Sequence, residues 1–112
     1  MSINFQSIDQ SCVTFTNLNA KEDQLVKVSD RGTVTTCADG DQFCGLVIHR
    51  RGSYCSVQLD GFVTVPYTGS TPTVGWTSLV ANGTGGVKAS DSGRAYLVVD
   101  ADLSRQAITF KL

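Results

Sequence analysis

Phe43-Cys44-Gly45-Leu46-Val47-Ile48-His49-Arg50-Arg51-Gly52-Ser53-Tyr54-Cys55-Ser56-Val57-Gln58-Leu59-Asp60 reads as a β-hairpin. Cys44, Leu46 and Ile48 occupy alternate positions, which places them on one face of an extended strand, and Cys55, Val57 and Leu59 do the same on the return strand. Glycine at position 52 supplies the backbone freedom of a tight turn. A two-residue turn at Arg51-Gly52 sets Ile48 opposite Cys55, Leu46 opposite Val57 and Cys44 opposite Leu59. A slip of one residue brings Ser56 and Gln58 onto the apolar face, so the pattern selects this register. Cys44 and Cys55 then stand at different levels, beyond the ~4.4–6.8 Å Cα separation of a disulfide.

The same reading extends outward from the hairpin. Val and Thr are the two commonest residues, and both are β-branched and suited to a pleated surface. Short β-rich runs at 12–16, 25–29, 33–36, 43–49, 54–60, 62–66, 77–80, 87–89, 95–100 and 107–112 alternate with glycine-marked turns. No sustained 3.6-residue apolar period competes with them. One short helical turn is expected at 101–105 with Asp100 as its cap. Asn82-Gly83 suits a type I′ turn, and Pro66 ends its strand or marks an edge. The expected fold is all-β: a small barrel-like or sandwich domain of short antiparallel strands over residues 11–112. It is preceded by an N-terminal arm, residues 1–10, whose apolar residues Ile3, Phe5 and Ile8 have no strand partner.

With 112 residues the chain has room for one core. A net charge of −1 offers no basic field to nucleic acid or an anionic membrane, so neither is expected as a partner. No apolar run approaches the ~20 residues of a membrane span. The first ten residues lack a basic start and an apolar stretch, so synthesis in a cytoplasm is expected, with the four cysteines as free thiols.

Candidates for chemistry each have a plainer role. His49, the single histidine, lies at a hairpin tip beside Arg50 and Arg51, where no triad pocket is expected. Cys37, Cys44, His49 and Cys55 lack the short ligand spacings of a zinc site. Asp39-Gly40-Asp41 lacks the further oxygen ligands of a calcium loop and reads as a turn feeding Phe43. The run from Asn82 to Gly86 lacks the Gly-Lys-Ser/Thr ending of a phosphate loop. The reading is of no catalytic residue, no cofactor and no metal.

Val26-Lys27-Val28, Gly32-Thr33-Val34, Ala38-Asp39-Gly40-Asp41 and Gly45-Leu46-Val47 follow one another in an order that resembles the capsid decoration (cement) proteins of tailed phages and prophages. Val57, Gly61-Phe62-Val63-Thr64-Val65, Val74-Gly75, Leu79, Gly86-Val87-Lys88 and Gly93 continue it, so the resemblance covers roughly residues 25–112. The cysteines and the stretch 67–73 depart from it. The resemblance implies a compact β-barrel-like, non-enzymatic protein made in the host cytoplasm. It binds the exterior of an assembled head as a virion structural protein, commonly as a homotrimer, and bridges subunits of the major capsid protein. On that reading Ile3, Phe5 and Ile8 anchor the arm to the capsid or to a neighbouring copy.

Two other readings remain. One is a small ligand- or carbohydrate-binding β domain with Trp76 and Tyr67 as a stacking surface. The other is an enzyme whose site lies at a seam between chains, for which Asp39, Asp41 and Asp60 are the nameable acids.

Overall fold

The computed structural model describes residues 12–112. These form ten strands and, among the described residues, no helix: β1 Cys12–Asn17, β2 Leu25–Asp30, β3 Thr33–Thr36, β4 Gly45–Arg51, β5 Tyr54–Gln58, β6 Phe62–Pro66, β7 Gly75–Ala81, β8 Val87–Ala89, β9 Arg94–Asp102 and β10 Ala107–Lys111. The all-β expectation holds, with each strand within a few residues of where the apolar pattern puts it.

The first five strands close into a barrel in the order β1-β3-β2-β4-β5. Every pairing is antiparallel except β1 with β3, which is parallel. The last five repeat this connectivity. They run β6-β10-β9-β7-β8, all antiparallel, and a single parallel bridge from Tyr67 to Val87 joins the two ends. Adding five to each label of the first barrel gives the strand order of this second sheet, which the isolated bridge curls into a second, barrel-like unit.

The correspondence reaches individual hydrogen bonds. Asn17 pairs with Val34 in the first repeat as Tyr67 does with Val87 in the second. The amide of Asn17 donates to Ser53 O and that of Tyr67 to Gln106 O. The amides of Leu18 and Thr68 donate to the carbonyls of Val34 and Val87. Both long hairpins carry a β-bulge at the same rung, after Val47–Val57 in one and Val98–Phe110 in the other. A bulge leaves one residue unpaired and increases the local twist, which helps a five-stranded sheet to close.

Interior positions match as well. Phe15, Val26, Val34, Val47, Cys55 and Val57 pack in the first barrel, and Val65, Leu79, Val87, Val98, Ile108 and Phe110 fill the same places in the second. Residue type changes while facing is kept, because a barrel interior demands apolar volume rather than a given side chain. Strands β7 and β9 carry two further rungs, Thr77–Tyr96 and Ser78–Ala95, where Leu25–Leu46 and Val26–Gly45 are adjacent in the first repeat.

Three local expectations are corrected. The hairpin turn is Gly52-Ser53, flanked by the pair Arg51–Tyr54, with Gly52 at φ 60°. Cys55 therefore faces Arg50 rather than Ile48, and Val57 faces Val47 rather than Leu46, with the bulge at Ile48 making up the difference. Leu46 and Val47 are both buried because β4 has barrel interior on one face and the second repeat on the other. Asn82-Gly83 is not a type I′ turn, since Asn82 has no positive φ. Instead Asn82 Oδ1 accepts from Thr84 N, Thr84 Oγ and Gly86 N, which organises a five-residue loop. Asp102, not Asp100, organises the turn after β9, accepting from Ser104 N, Ser104 Oγ and Arg105 N.

Candidate functional site

The loop at 37–44, between β3 and β4 of the first barrel, docks on the second repeat. Phe43, expected to begin a strand, instead leaves the first barrel and enters the mouth of the second. There it stacks on Tyr96 with ring centroids 5.0 Å apart and meets Phe110 at 5.8 Å. Gln42 Nε2 donates to the Tyr96 hydroxyl at 2.6 Å, and Arg94 N donates to Gln42 Oε1 at 3.1 Å. The amide of Gly40 donates to Ala81 O at 2.8 Å, and that of Ala81 to Asp41 O at 2.9 Å. One repeat thus plugs the other with an aromatic side chain held by four hydrogen bonds.

The three acids weighed for catalysis do not converge. Asp41 takes the Lys27 ammonium and the Ala38 amide. Asp39 binds Lys88 of the second repeat at 2.8 Å, and Asp60 binds Lys111 at 3.0 Å. The Lys27 hydrogen bond holds the Asp41 carboxyl below its ordinary pKa, and the Lys111 hydrogen bond does the same for Asp60. The Ser104 hydroxyl lowers Asp102 in the same way. A carboxyl depressed in the folded chain stabilises it above the unfolded value, and that contribution is lost as pH falls through the folded value. Urea midpoints are therefore expected to drop between about pH 5 and pH 3. All three groups lie near solvent, so the drop should shrink in high salt. A flat midpoint over that interval would contradict the assignment.

His49 is exposed on β4, with Nδ1 3.4 Å from Glu22 Oε2. It borders a shallow depression of about 210 Å³ with Thr14, Arg51 and Tyr54. The four cysteines are free. Burial pushes the Cys37 thiol up to about 11 and raises Cys44 and Cys55, which makes these thiols poor nucleophiles and poor metal ligands. Among the described residues no three His, Cys, Asp or Glu side chains gather as a metal set. A second cleft, of about 420 Å³, lies between Leu46 and Ile48 on one side and Phe62 and Val63 on the other. Its Gln58 amide is already committed to the carbonyls of Asp60 and Phe62.

Trp76 and Tyr67 do not form a stacking surface. Tyr67 is buried, because its backbone closes the second barrel and its ring joins the core. Trp76 is 75 % exposed. It stands at the end of a cross-strand row, Phe62–Lys111–Leu97–Trp76, on the outer face of the second repeat. The groove beside it holds only about 90 Å³, well below the roughly 300–1,000 Å³ of a small-molecule pocket. Arg94 lies over the Tyr96 ring at the groove's edge, 5.1 Å from its centroid.

Ile3, Phe5 and Ile8, proposed as arm anchors, lie outside the described residues. The plug by Phe43 and the internal repeat are absent from a reading of strands alone. Their trace in the sequence is slight: Val13-Thr14-Phe15 against Val63-Thr64-Val65, and Leu46-Val47 against Leu97-Val98. No protein-family model matches the chain, and no curated protein matches it.

Proposed function

We propose that this chain is a non-enzymatic virion structural protein that binds and stabilises the exterior of an assembled phage capsid, with the major capsid protein as its partner. The observation that supports this is where the side chains are spent. The acids are tied to lysines within the fold, whereas Val13, Val28 and Trp76 stand exposed at its surfaces. A protein that works by adhesion needs a rigid β scaffold and uncovered apolar surface. It also gains from an arm that adds its backbone to a sheet edge of the partner. Repetition over many identical positions on a shell then multiplies weak contacts.

The experiment is co-sedimentation of the full chain with purified heads that lack it. Saturable binding to intact heads supports the reading, and no binding at any salt concentration ends it. Removing residues 2–10 is expected to leave the urea midpoint of the β domain unchanged and to weaken head binding at least about tenfold, the effect of losing ~1.4 kcal/mol. Equal binding by the shortened chain would remove the arm from the contact.

A further inference from the structure

Because the chain repeats one five-strand connectivity, each repeat shows which surface of the other is built to be covered. The outer row of the first repeat is Leu25–Leu46–Gln58, with Leu46 paired to Leu25 on one side and to Gln58 on the other. Its residues are 1 %, 6 % and 2 % exposed. The second repeat covers them: the amide of Leu25 donates to Gly85 O at 3.2 Å, and Phe62 O accepts from Gln58. The equivalent row of the second repeat is Trp76–Leu97–Lys111, and among the described residues none covers Trp76.

The opposite surface shows the reverse inequality. The mouth of the second barrel carries Val63 and Ala81, 4 % and 2 % exposed, closed by the loop at 37–44 from the first repeat. Val13 and Val28 hold those places in the first barrel, as their pairings with Val57 and Val34 establish. They are 44 % and 55 % exposed. The intramolecular contact thus buries Leu25 and Leu46 of the outer row, together with Phe43 of the loop, in one core with the mouth residues Val63 and Ala81, and among the described residues one outer row and one mouth are left uncovered.

We infer that copies of this chain associate head to tail, the Trp76–Leu97 row of one docking on the Val13–Val28 mouth of the next. Such a contact is heterologous, so it propagates until the rotation per copy closes a ring. The contact itself is read from the chain against itself and does not depend on a shell. Trp76 is the aromatic anchor of the row, as Phe43 is of the internal contact.

The test exploits the asymmetry. Trp76→Asp removes the row and keeps the mouth, while Val28→Asp removes the mouth and keeps the row. Both residues are exposed in the single chain, so both variants should keep the wild-type urea midpoint at low concentration. In sedimentation equilibrium the wild type is expected to form closed oligomers. Each variant alone should be monomeric, with a dissociation constant raised at least about 30-fold. Mixed, the two should form a one-to-one dimer and no larger species, since one intact row meets one intact mouth. Trp76 is the single tryptophan, so its emission should move to shorter wavelength as the wild type associates. A wild type that stays monomeric to millimolar concentration overturns the inference and leaves head binding by single copies intact. Oligomers that survive either substitution, or variants that fail to complement, also overturn it, the latter pointing to like-with-like contact. Loss of head binding by Trp76→Asp with a monomeric wild type would assign the row to the capsid instead.

Discussion

Phe43→Ala is expected to cost about 3–5 kcal/mol, the usual range for emptying a buried aromatic site. That is a large share of the ~5–15 kcal/mol that holds a domain together. The side chain is almost fully buried, stacked on Tyr96 and tilted against Phe110, so its removal opens a void among aromatic rings that cannot collapse onto one another. The effect should also be directional. The second barrel loses its plug, whereas the interior of the first, built from Val26, Val34, Val47 and Val57, keeps every contact. Amide exchange should therefore accelerate in β9 and β10 before β4 and β5. If the two repeats come apart as separate cooperative units, the urea slope falls along with the midpoint. Gln42→Ala, which removes the bonds to Tyr96 and Arg94 but no apolar volume, should cost only about 1–2 kcal/mol. A loss below about 1 kcal/mol for Phe43→Ala would mean that the plug does not couple the repeats.

The same residue marks where a sequence stops being legible. Alternation puts Cys44, Leu46 and Ile48 on one face, but the bulge at Ile48 breaks that period and Val47 takes the interior position, and a period does not say which body an apolar residue meets. Phe43 serves the other barrel, and the strand begins at Gly45. A Cβ on Gly45 would lie 2.4 Å from Gln58 O, so the chain must pass closest to β5 where it turns back from the plug. The repeat is hidden for a related reason. Cys55 and Ile108, or Val57 and Phe110, are interchangeable as barrel filling, so identity decays while facing persists. Extra length in β7 and β9 then breaks any fixed spacing between equivalent residues. The acids were legible only as candidates. Their lysine partners lie far away in the sequence, as with Asp60 and Lys111, and pairing at that distance is a property of topology. Trp76 beside Gly75 was readable as a residue at the exit of a loop. That Tyr67 would be lost to the core was not, because its burial follows from the bridge to Val87 that closes the second barrel.

The second barrel is sealed by the one bridge between Tyr67 and Val87, with the Thr68 amide donating to Val87 O at 3.0 Å. Gly86 precedes the bridge, and a Cβ there would lie 2.2 Å from Pro66 O and 3.0 Å from Pro66 C. These are backbone atoms, so no rotamer change relieves the contact, and the seam itself must open. Gly86→Ala is expected to cost about 2–3 kcal/mol, the upper part of the range for forcing an extra methyl into a packed site. It should expose Tyr67 and speed exchange of the Thr68 amide ahead of the rest of the chain. Two comparisons isolate the cause. Gly69→Ala has open space around its Cβ but φ at +77°, so it tests backbone strain alone, about 1 kcal/mol. Thr33 occupies the rung of Gly86 in the first repeat, where a full side chain is accommodated beside Thr16. Thr33→Ala should therefore change stability by well under about 1 kcal/mol, since it relieves nothing and loses one exposed hydroxyl contact to Arg31 O. If Gly86→Ala proves as mild as Thr33→Ala in the same urea series, the seam is looser than the contact distances require. The second barrel would then be an open sheet rather than a true counterpart of the first.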